Sequence, residues 1–345
     1  MVPALGSRLA ALGPHERELL PVFECLTSLA IAAGRHIDTY APALFDAALR
    51  CVTTQLQLRA DPSSGGGRHE YDREIHVCAL DLVSGLAEGL GASLDPLVGP
   101  SQLMQVVVAA CCDEAADVRQ SGFALVGDLS RGCVSHVAPR AQDVVGAALA
   151  CLAPELLTAQ RAEGTGTIMK AANNACWAVG EMALKLPPGS TTAWAEPLAE
   201  RLTVILTTGP SRLPRSLIDN AAITMGRLAA SAPQQLAQHL PHFCMPWCQG
   251  LRNIRDDVEK ETAFTGLCAV LRLNPAPAMP PAPAWAALAS AIASWRSVAN
   301  ASLRAEMAAV MQAYKQSLTA QGTWQQALGA LEGPLAQKLC SMCDL

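Results

Sequence analysis

Apolar residues recur at steps of three and four positions along most of the chain. This spacing places them on one side of an α-helix, whereas no stretch shows the two-residue alternation of a half-buried strand. Helices are therefore predicted over residues 18–33, 40–58, 74–90, 101–112, 113–132, 137–152, a segment containing 173–177 that ends near 187, 191–207, 213–231, 235–251, 256–273, 284–297, 301–317 and 324–343. The pattern predicts an all-α fold.

A glycine recurs late in the second helix of successive predicted pairs. The five positions are Gly85, Gly127, Gly180, Gly226 and Gly266, which are 40 to 53 residues apart. Two helices every ~40–47 residues is the period of HEAT and armadillo repeats, and a glycine allows two helix backbones to approach closely. We therefore predict an α-solenoid of HEAT repeats, a right-handed superhelical stack of antiparallel helix pairs.

The predicted repeats also suggest how the chain is divided. We expect residues 1–16 to be an irregular N-terminal lead and residues 17–345 to be a single HEAT-repeat array of about seven helix pairs. Flexible loops are expected near 59–71, 153–166 and 274–283, where Gly, Ser or Pro interrupt the helical pattern. The prolines of the last segment indicate a link between helix pairs rather than a domain boundary.

Composition narrows the choice of partner. The 345 residues are 51% hydrophobic but only 4% aromatic, and the formal net charge is −5. A surface that binds nucleic acid is normally basic, so this charge argues against nucleic acid and is compatible with a basic protein partner. The first residues lack the pattern of a secretory signal, and no apolar run reaches the ~18 residues of a membrane span. We therefore expect a soluble, intracellular protein.

Cysteine and histidine provide no obvious chemistry. The 13 cysteines mostly lie within apolar helical segments, where reduced cysteine packs as a small apolar residue. Cys340 and Cys343 have CxxC spacing but lack the second pair or histidine of a zinc site. His239 and His242 are three positions apart without an evident third ligand. We predict no catalytic site, no metal and no cofactor.

The stretch from Asn173 to Glu181 combines apolar and polar residues on one predicted helix. Trp177 and Glu181 are four apart and share a helix face, and Asn173 lies one turn earlier. An apolar ring beside amides and a carboxylate suits an extended basic peptide. The alternative is that Trp177 fills the core between two helices.

Acidic and amide residues recur at corresponding places in other second helices, which line the concave face of a solenoid. They are Asp81, Glu88, Asp128, Asn173, Glu181 and Asn220. Aligned on the repeated glycines, Ala124, Trp177 and Ile223 occupy one equivalent position. The pattern predicts apolar spots among carboxylates, or alternatively an acidic face that is merely solvated.

Several ordered stretches resemble one family. They are 79–90 (ALDLVSGLAEGL), 118–121 (VRQS), 123–125 (FAL), 173–181 (NNACWAVGE), 219–224 (DNAAIT), 246–248 (PWC) and 251–256 (LRNIRD). With these, the chain from about Leu20 to Leu345 resembles the C-terminal part of the transportins, the karyopherin-β nuclear import receptors. That family binds extended, basic nuclear localisation signals ending in a proline–tyrosine pair on the concave face of its C-terminal HEAT repeats.

The resemblance implies a set of cargo-contacting positions. They are Val77, Asp81, Glu88, Gln120, Asp128, Met169, Asn173, Trp177, Asn220 and Ile223. Val77 and Met169 stand where the family has other apolar side chains. The carboxylates are expected to attract Lys and Arg, and Trp177 and Ile223 to bury an aliphatic or apolar stem.

The resemblance also implies partners and location. It implies cargo proteins with basic, disordered localisation signals, nucleoporins as further candidates, and shuttling between cytoplasm and nucleus, without nucleic-acid or membrane partners. A complete transportin carries further repeats before the matching region. These include the repeats that bind the GTPase Ran, an acidic loop and the proline–tyrosine pocket, so Ran is expected only for a full-length receptor. The alternative is a HEAT-repeat scaffold for a complex unrelated to import.

Overall fold

The computed structural model describes residues 1–61, 70–158 and 165–345. Its α-helices are α1 (Val2–Ala11), α2 (Leu19–Ala33), α3 (Ala41–Ala60), α4 (Arg73–Leu90), α5 (Asp95–Val98), α6 (Leu103–Cys111), α7 (Ala116–Gly132), α8 (Val134–Val137), α9 (Ala141–Cys151), α10 (Pro154–Thr158), α11 (Thr165–Lys185), α12 (Thr192–Thr208), α13 (Arg215–Ser231), α14 (Pro233–Leu251), α15 (Val258–Leu273), α16 (Ala284–Ala293), α17 (Ala301–Ala320), α18 (Trp324–Gly329) and α19 (Gly333–Cys343). Short 3-10 helices precede or follow some of them, and no strand occurs in the described ranges. The predicted all-α fold is confirmed.

Local sequence signals define several helix ends. The side chains of Asp72, Asp257 and Asn300 accept hydrogen bonds from backbone amides in the first turns of α4, α15 and α17. Such caps satisfy donors that have no partner inside the helix. Gly34 and Gly91 end α2 and α4 with φ values of 53° and 54°, a conformation that residues with a β-carbon rarely adopt. These residues therefore set the boundaries between consecutive helices.

The first compact unit contains the described residues of 1–151 and 165–185. In it, α4 packs between α2 and α7, and α11 packs on the other side of α7. Helices α3, α6 and α9 pack against α4, α7 and α11 respectively, and they form a second layer. Leu80, Leu125 and Val179 are fully buried between the layers. Each helix pair thus buries its apolar stripe against its partner and the neighbouring pairs.

The second compact unit contains the described residues of 152–158 and 186–345. Here α15 packs between α13 and α17, while α14 packs between α12 and α16 in the other layer. The terminal helix α19 contacts both α16 and α17. Trp247 on α14 donates its indole N–H to the carbonyl of Ala222 on α13, with an N–O distance of 2.9 Å. A buried tryptophan therefore joins the two layers while its polar atom remains satisfied.

Gly85, Gly127, Gly226 and Gly266 of the repeated glycines lie where helices approach closely. A β-carbon at Gly85 would meet Thr27 on α2, and one at Gly266 would overlap the backbone of Gly226 on α13. At Gly127 the neighbour is instead the ring of Trp177. The pattern that predicted the repeat thus marks contacts between second helices within each unit.

Three of the expected irregular segments contain helix. The predicted irregular lead over 1–16 is wrong, because α1 occupies Val2–Ala11 and packs Leu9 into the unit that also contains α2 and α3. The expected loop near 153–166 includes α10, and its residues 159–164 lie outside the described ranges, as do residues 62–69 of the loop near 59–71. A short 3-10 helix, Ala276–Ala278, interrupts the third expected loop. The single array over 17–345 stays a prediction.

Two helical segments, Arg73–Val98 and Val134–Thr158, are long and apolar enough to cross a membrane by length and composition, although the sequence pattern predicted none. Buried helices of packed proteins pass the same test, and α4 in the first segment packs against α2, α3 and α7. Length and composition therefore do not separate a span from a core helix here. Within the described ranges, no group of three or more His, Cys, Asp or Glu could hold a metal ion.

Candidate functional site

Helices α4, α7 and α11 pack side by side in the first unit, and side chains on each of them make up one candidate surface. On α7, Gly122 contacts α6, and the helical period of 3.6 residues places Gln120, Ala124 and Arg131 on the opposite side. We call this surface the α4–α7–α11 face. Its predicted site residues are Val77, Asp81 and Glu88 on α4, Gln120 and Asp128 on α7, and Met169, Asn173 and Trp177 on α11.

Amide and hydroxyl side chains tie the three helices together at one end of this face. Asn174 donates its side-chain N–H to the backbone carbonyl of Gln120, with an N–O distance of 3.0 Å. Asn173 donates to the side-chain oxygen of Asn174 at 3.4 Å. Burial raises the pKa of the Asp81 carboxyl, while a hydrogen bond from Ser121 acts in the opposite direction. The amides and Asp81 are therefore positioned by contacts within the chain.

Asp128 is an enclosed carboxylate of the face. Its side chain accepts a short hydrogen bond from the Ser84 hydroxyl on α4, and the residue is 8% exposed. Burial raises the pKa of Asp128 to about 6. The Ser84 hydrogen bond and Arg131 lower it, while Glu88 and Glu181 raise it. Glu88, Glu181 and Arg131 therefore all lie close enough to Asp128 to act on its charge.

Removing the Asp128 charge is expected to stabilise the first unit. The folded-state pKa lies above the usual 3.8, so the fold favours the protonated form and its stability increases as the pH falls from about 6 towards 4. Asp128→Asn is neutral at every pH and can still accept from Ser84. We expect it to raise the free energy of unfolding by about 1–2 kcal/mol at pH 7 and by little at pH 4. Urea unfolding at both pH values measures this, and a destabilised variant at pH 7 would contradict it.

Trp177 is half-buried, and two groups of its own chain contact its ring. The Cζ3–Cε3–Cη2 edge of the ring lies against Gly127, where a β-carbon would overlap the ring. The Arg131 guanidinium carbon lies 4.9 Å from the ring centroid. Arg131 also donates from Nε and Nη2 to the two carboxylate oxygens of Glu181, at 3.2 and 3.3 Å. The ring and acid predicted to face a ligand do lie together, but an arginine of the chain stacks on them.

The remaining predicted residues differ in how exposed they are and in which compact unit they belong to. Val77 is half-buried and Glu88 is exposed, whereas Met169 is 8% exposed and leaves little surface for a ligand. Asn220 and Ile223 lie on α13 in the second unit, where Asn220 is half-buried and Ile223 is 3% exposed.

Three residues of the face were not predicted from the sequence. They are Ser84, Ser121 and Arg131, which act through contacts between helices far apart in the chain. Arg131 lies one helical turn after the repeated Gly127. This four-residue spacing is the sequence feature that could have placed Arg131 on the same helix face as Gly127.

The paired helices in two layers and the repeat of about 40 residues define a helical-repeat protein of the HEAT and armadillo class. A designed armadillo repeat protein aligns with a TM-score of 0.53 at 17% identity, covering 78% of this chain and 100% of its own. A crystal structure of importin beta aligns with a TM-score of 0.50 at 18% identity, covering 93% of this chain and 38% of its own. At these identities the likeness shows the α-solenoid fold alone.

Sequence relatives give the family. Transportin-1 of Oryza sativa subsp. japonica is 38% identical over 338 residues, which are 98% of this chain and 36% of that protein. Transportin-1 of Mus musculus is 34% identical and importin subunit beta-2 of Schizosaccharomyces pombe is 31% identical, each over 80% of this chain and 29% of the relative. No family model matches the chain. The chain is thus related to the transportins over nearly its whole length and spans about a third of the length of these relatives.

Proposed function

We propose that this chain is the cargo-binding part of a transportin-type nuclear import receptor. In this proposal, the α4–α7–α11 face binds the basic part of an extended nuclear localisation signal that ends in proline–tyrosine. The observation that carries it is the cluster of Asp128, Glu88, Glu181 and the half-buried Trp177 on adjacent helices. Relatives named as transportins and importins support the same class of function.

The chemistry of the face fits a basic, flexible peptide. Exposed Glu88 supplies a carboxylate that can attract Lys or Arg, and the Trp177 ring already accepts a guanidinium at cation–π distance. Half-buried Gln120 and Asn173 offer amide groups near the same helices. Because an exposed charge pair is screened by salt, such binding is expected to weaken as the ionic strength rises.

The proposal also covers two residues of the second unit, the location of the protein and its other partners. Asn220 and Ile223 belong to the same predicted set, and a rearrangement that exposes Ile223 would be needed for it to contact a peptide. Shuttling between cytoplasm and nucleus follows from the proposed activity. Ran would act through repeats of a longer receptor that this chain does not match, and nucleoporins are proposed as transient partners.

The proposal predicts a defined loss of peptide affinity in two variants. Trp177→Ala removes the aromatic ring, and Glu88→Lys reverses an exposed charge on the same face. Each is expected to raise the Kd of a fluorescein-labelled basic proline–tyrosine peptide by about 10-fold, measured by fluorescence anisotropy at low salt. Glu88 suits this test better than Asp128, because Asp128 is buried and its replacement by Lys would disturb folding.

Asp46→Lys is the matched control for the charge reversal. Asp46 is exposed on α3, in the layer of first helices, and its replacement changes the net charge by the same amount. Its Kd is expected to stay within about 2-fold of the natural protein. Equal affinity of the natural protein and all three variants would remove the site assignment. A scaffold function is favoured instead if the peptide does not bind at all while circular dichroism shows folded protein.

A further inference from the structure

Trp177, Arg131 and Glu181 form a small cluster, called here the Trp177 cluster. Its outermost group is the guanidinium of Arg131. The Arg131 side chain is 46% exposed, whereas the Glu181 side chain that it contacts is 5% exposed. The same guanidinium lies over the Trp177 ring. The Cζ3–Cε3–Cη2 edge of the ring lies against Gly127, and Arg131 covers the ring as well, so groups of the chain itself already occupy these surroundings of the ring. A planar cation, a carboxylate and an aromatic ring thus form one small site that is filled internally.

We propose that Arg131 occupies the position taken by an arginine of a bound basic peptide, so that it acts as an internal competitor and sets the affinity and selectivity of this site. The inference rests on the proposed function for its biological partner. The exchange itself does not depend on which peptide is the partner: an incoming guanidinium replaces the guanidinium of Arg131 on Trp177 and Glu181. No covalent change is involved.

The arrangement favours exchange over simple opening. Arg131 is near the end of α7 and has a long, partly exposed side chain, so it can rotate away while the helices stay in place. Glu181 is nearly enclosed, and a buried carboxylate without a cation is strongly unfavourable. Arg131 is therefore expected to leave mainly when another cation arrives, which keeps the charge of the site constant.

The geometry also predicts which cation replaces it best. Arg131 donates two hydrogen bonds to Glu181 and places its guanidinium over the Trp177 ring. An arginine can reproduce both contacts, whereas lysine carries a compact charge and cannot form the same planar fork. The site is expected to select arginine over lysine at the corresponding peptide position.

A proline-free probe tests the exchange separately from the proposed function. The probe is an acetylated, amidated tetra-arginine peptide, with tetra-lysine for comparison, and the readout is the NMR signal of the Trp177 indole N–H. The signal is assigned with Trp177→Phe. Arg131→Gln removes the competitor, and Arg131→Lys weakens it while keeping the charge. Both are expected to bind tetra-arginine about 3–10-fold more tightly than the natural protein.

Arg73→Gln is the matched control for lost positive charge. Arg73 lies at the start of α4, pairs with Asp117 at 3.0 Å and is 57% exposed. Its effect on tetra-arginine affinity is expected to stay below about 2-fold. Unchanged or weaker binding by both Arg131 variants would overturn the inference, as would an equal gain in Arg73→Gln. If Arg131→Gln does not fold, Arg131→Lys alone decides. Failure of the proline–tyrosine peptide with a gain for tetra-arginine would overturn only the proposed function.

Discussion

Gly266→Ala is expected to destabilise the second unit by about 3 kcal/mol. A β-carbon at this position would overlap the carbonyl of Gly226 on α13 and would lie 3.0 Å from the backbone nitrogen of Ala230. These neighbours are backbone atoms of a packed helix, so α13 and α15 must separate to admit the methyl group. The loss of contact along both helices then exceeds the small gain in helix propensity from alanine.

Gly146→Ala is the matched comparison for this prediction. Gly146 lies within α9, is exposed, and has no atom within 4 Å of an added β-carbon. The same substitution there is expected to be neutral or to stabilise by up to about 1 kcal/mol. Urea unfolding followed by circular dichroism measures both variants, and hydrogen exchange locates the loss in α13 and α15. Similar stabilities for the two variants would show that the helices can move apart easily.

The repeated glycines show why the fold could be predicted from the sequence. A period of about 40 residues and the helical spacing of apolar residues are local features that survive without any knowledge of contacts. What each glycine touches is a tertiary property. Gly226 and Gly266 meet each other's helices, whereas Gly127 makes room for the ring of Trp177. The helix at Val2–Ala11 was missed because its short sequence contains Pro3 and Gly6, and packing stabilises it.

The candidate site was predictable only in part. The four-residue spacing of Trp177 and Glu181 correctly places them on one helix face, because that relation depends on α-helix geometry alone. Arg131, which joins them, lies 50 residues before Glu181 and reaches them only because α7 and α11 are neighbours. Likewise, Asp128 is enclosed because α7 lies between α4 and α11. The sequence indicates the chemistry of the face, and the packing decides which groups are still available to a ligand.

A buried lysine in the second unit provides the other large expected effect. The Lys260 side chain is 1% exposed, and its ammonium lies 2.7 Å from the Asp256 carboxylate and 4.5 Å from the ring centroid of Trp295. Asp256 also accepts a hydrogen bond from the backbone amide of Arg296, with an N–O distance of 2.8 Å. A carboxylate one turn before a buried cation thus joins the start of α15 to the segment after α16. The cation–π contact with Trp295 adds to the stabilisation of Lys260 but does not replace its counter-charge.

Asp256→Ala is therefore expected to destabilise the protein by about 3–4 kcal/mol, because it leaves the Lys260 ammonium enclosed without a carboxylate. Asp257→Ala, at the neighbouring position, removes the N-cap of α15 and an ion pair with the exposed Arg255, and is expected to destabilise by about 1 kcal/mol. Lys260→Met in the Asp256→Ala background should recover much of the loss, since it removes the buried charge and keeps a similar volume. Urea unfolding of the single and double variants measures the coupling. If Asp256→Ala loses no more stability than Asp257→Ala, or the double variant shows no recovery, Lys260 does not depend on Asp256 for its charge compensation.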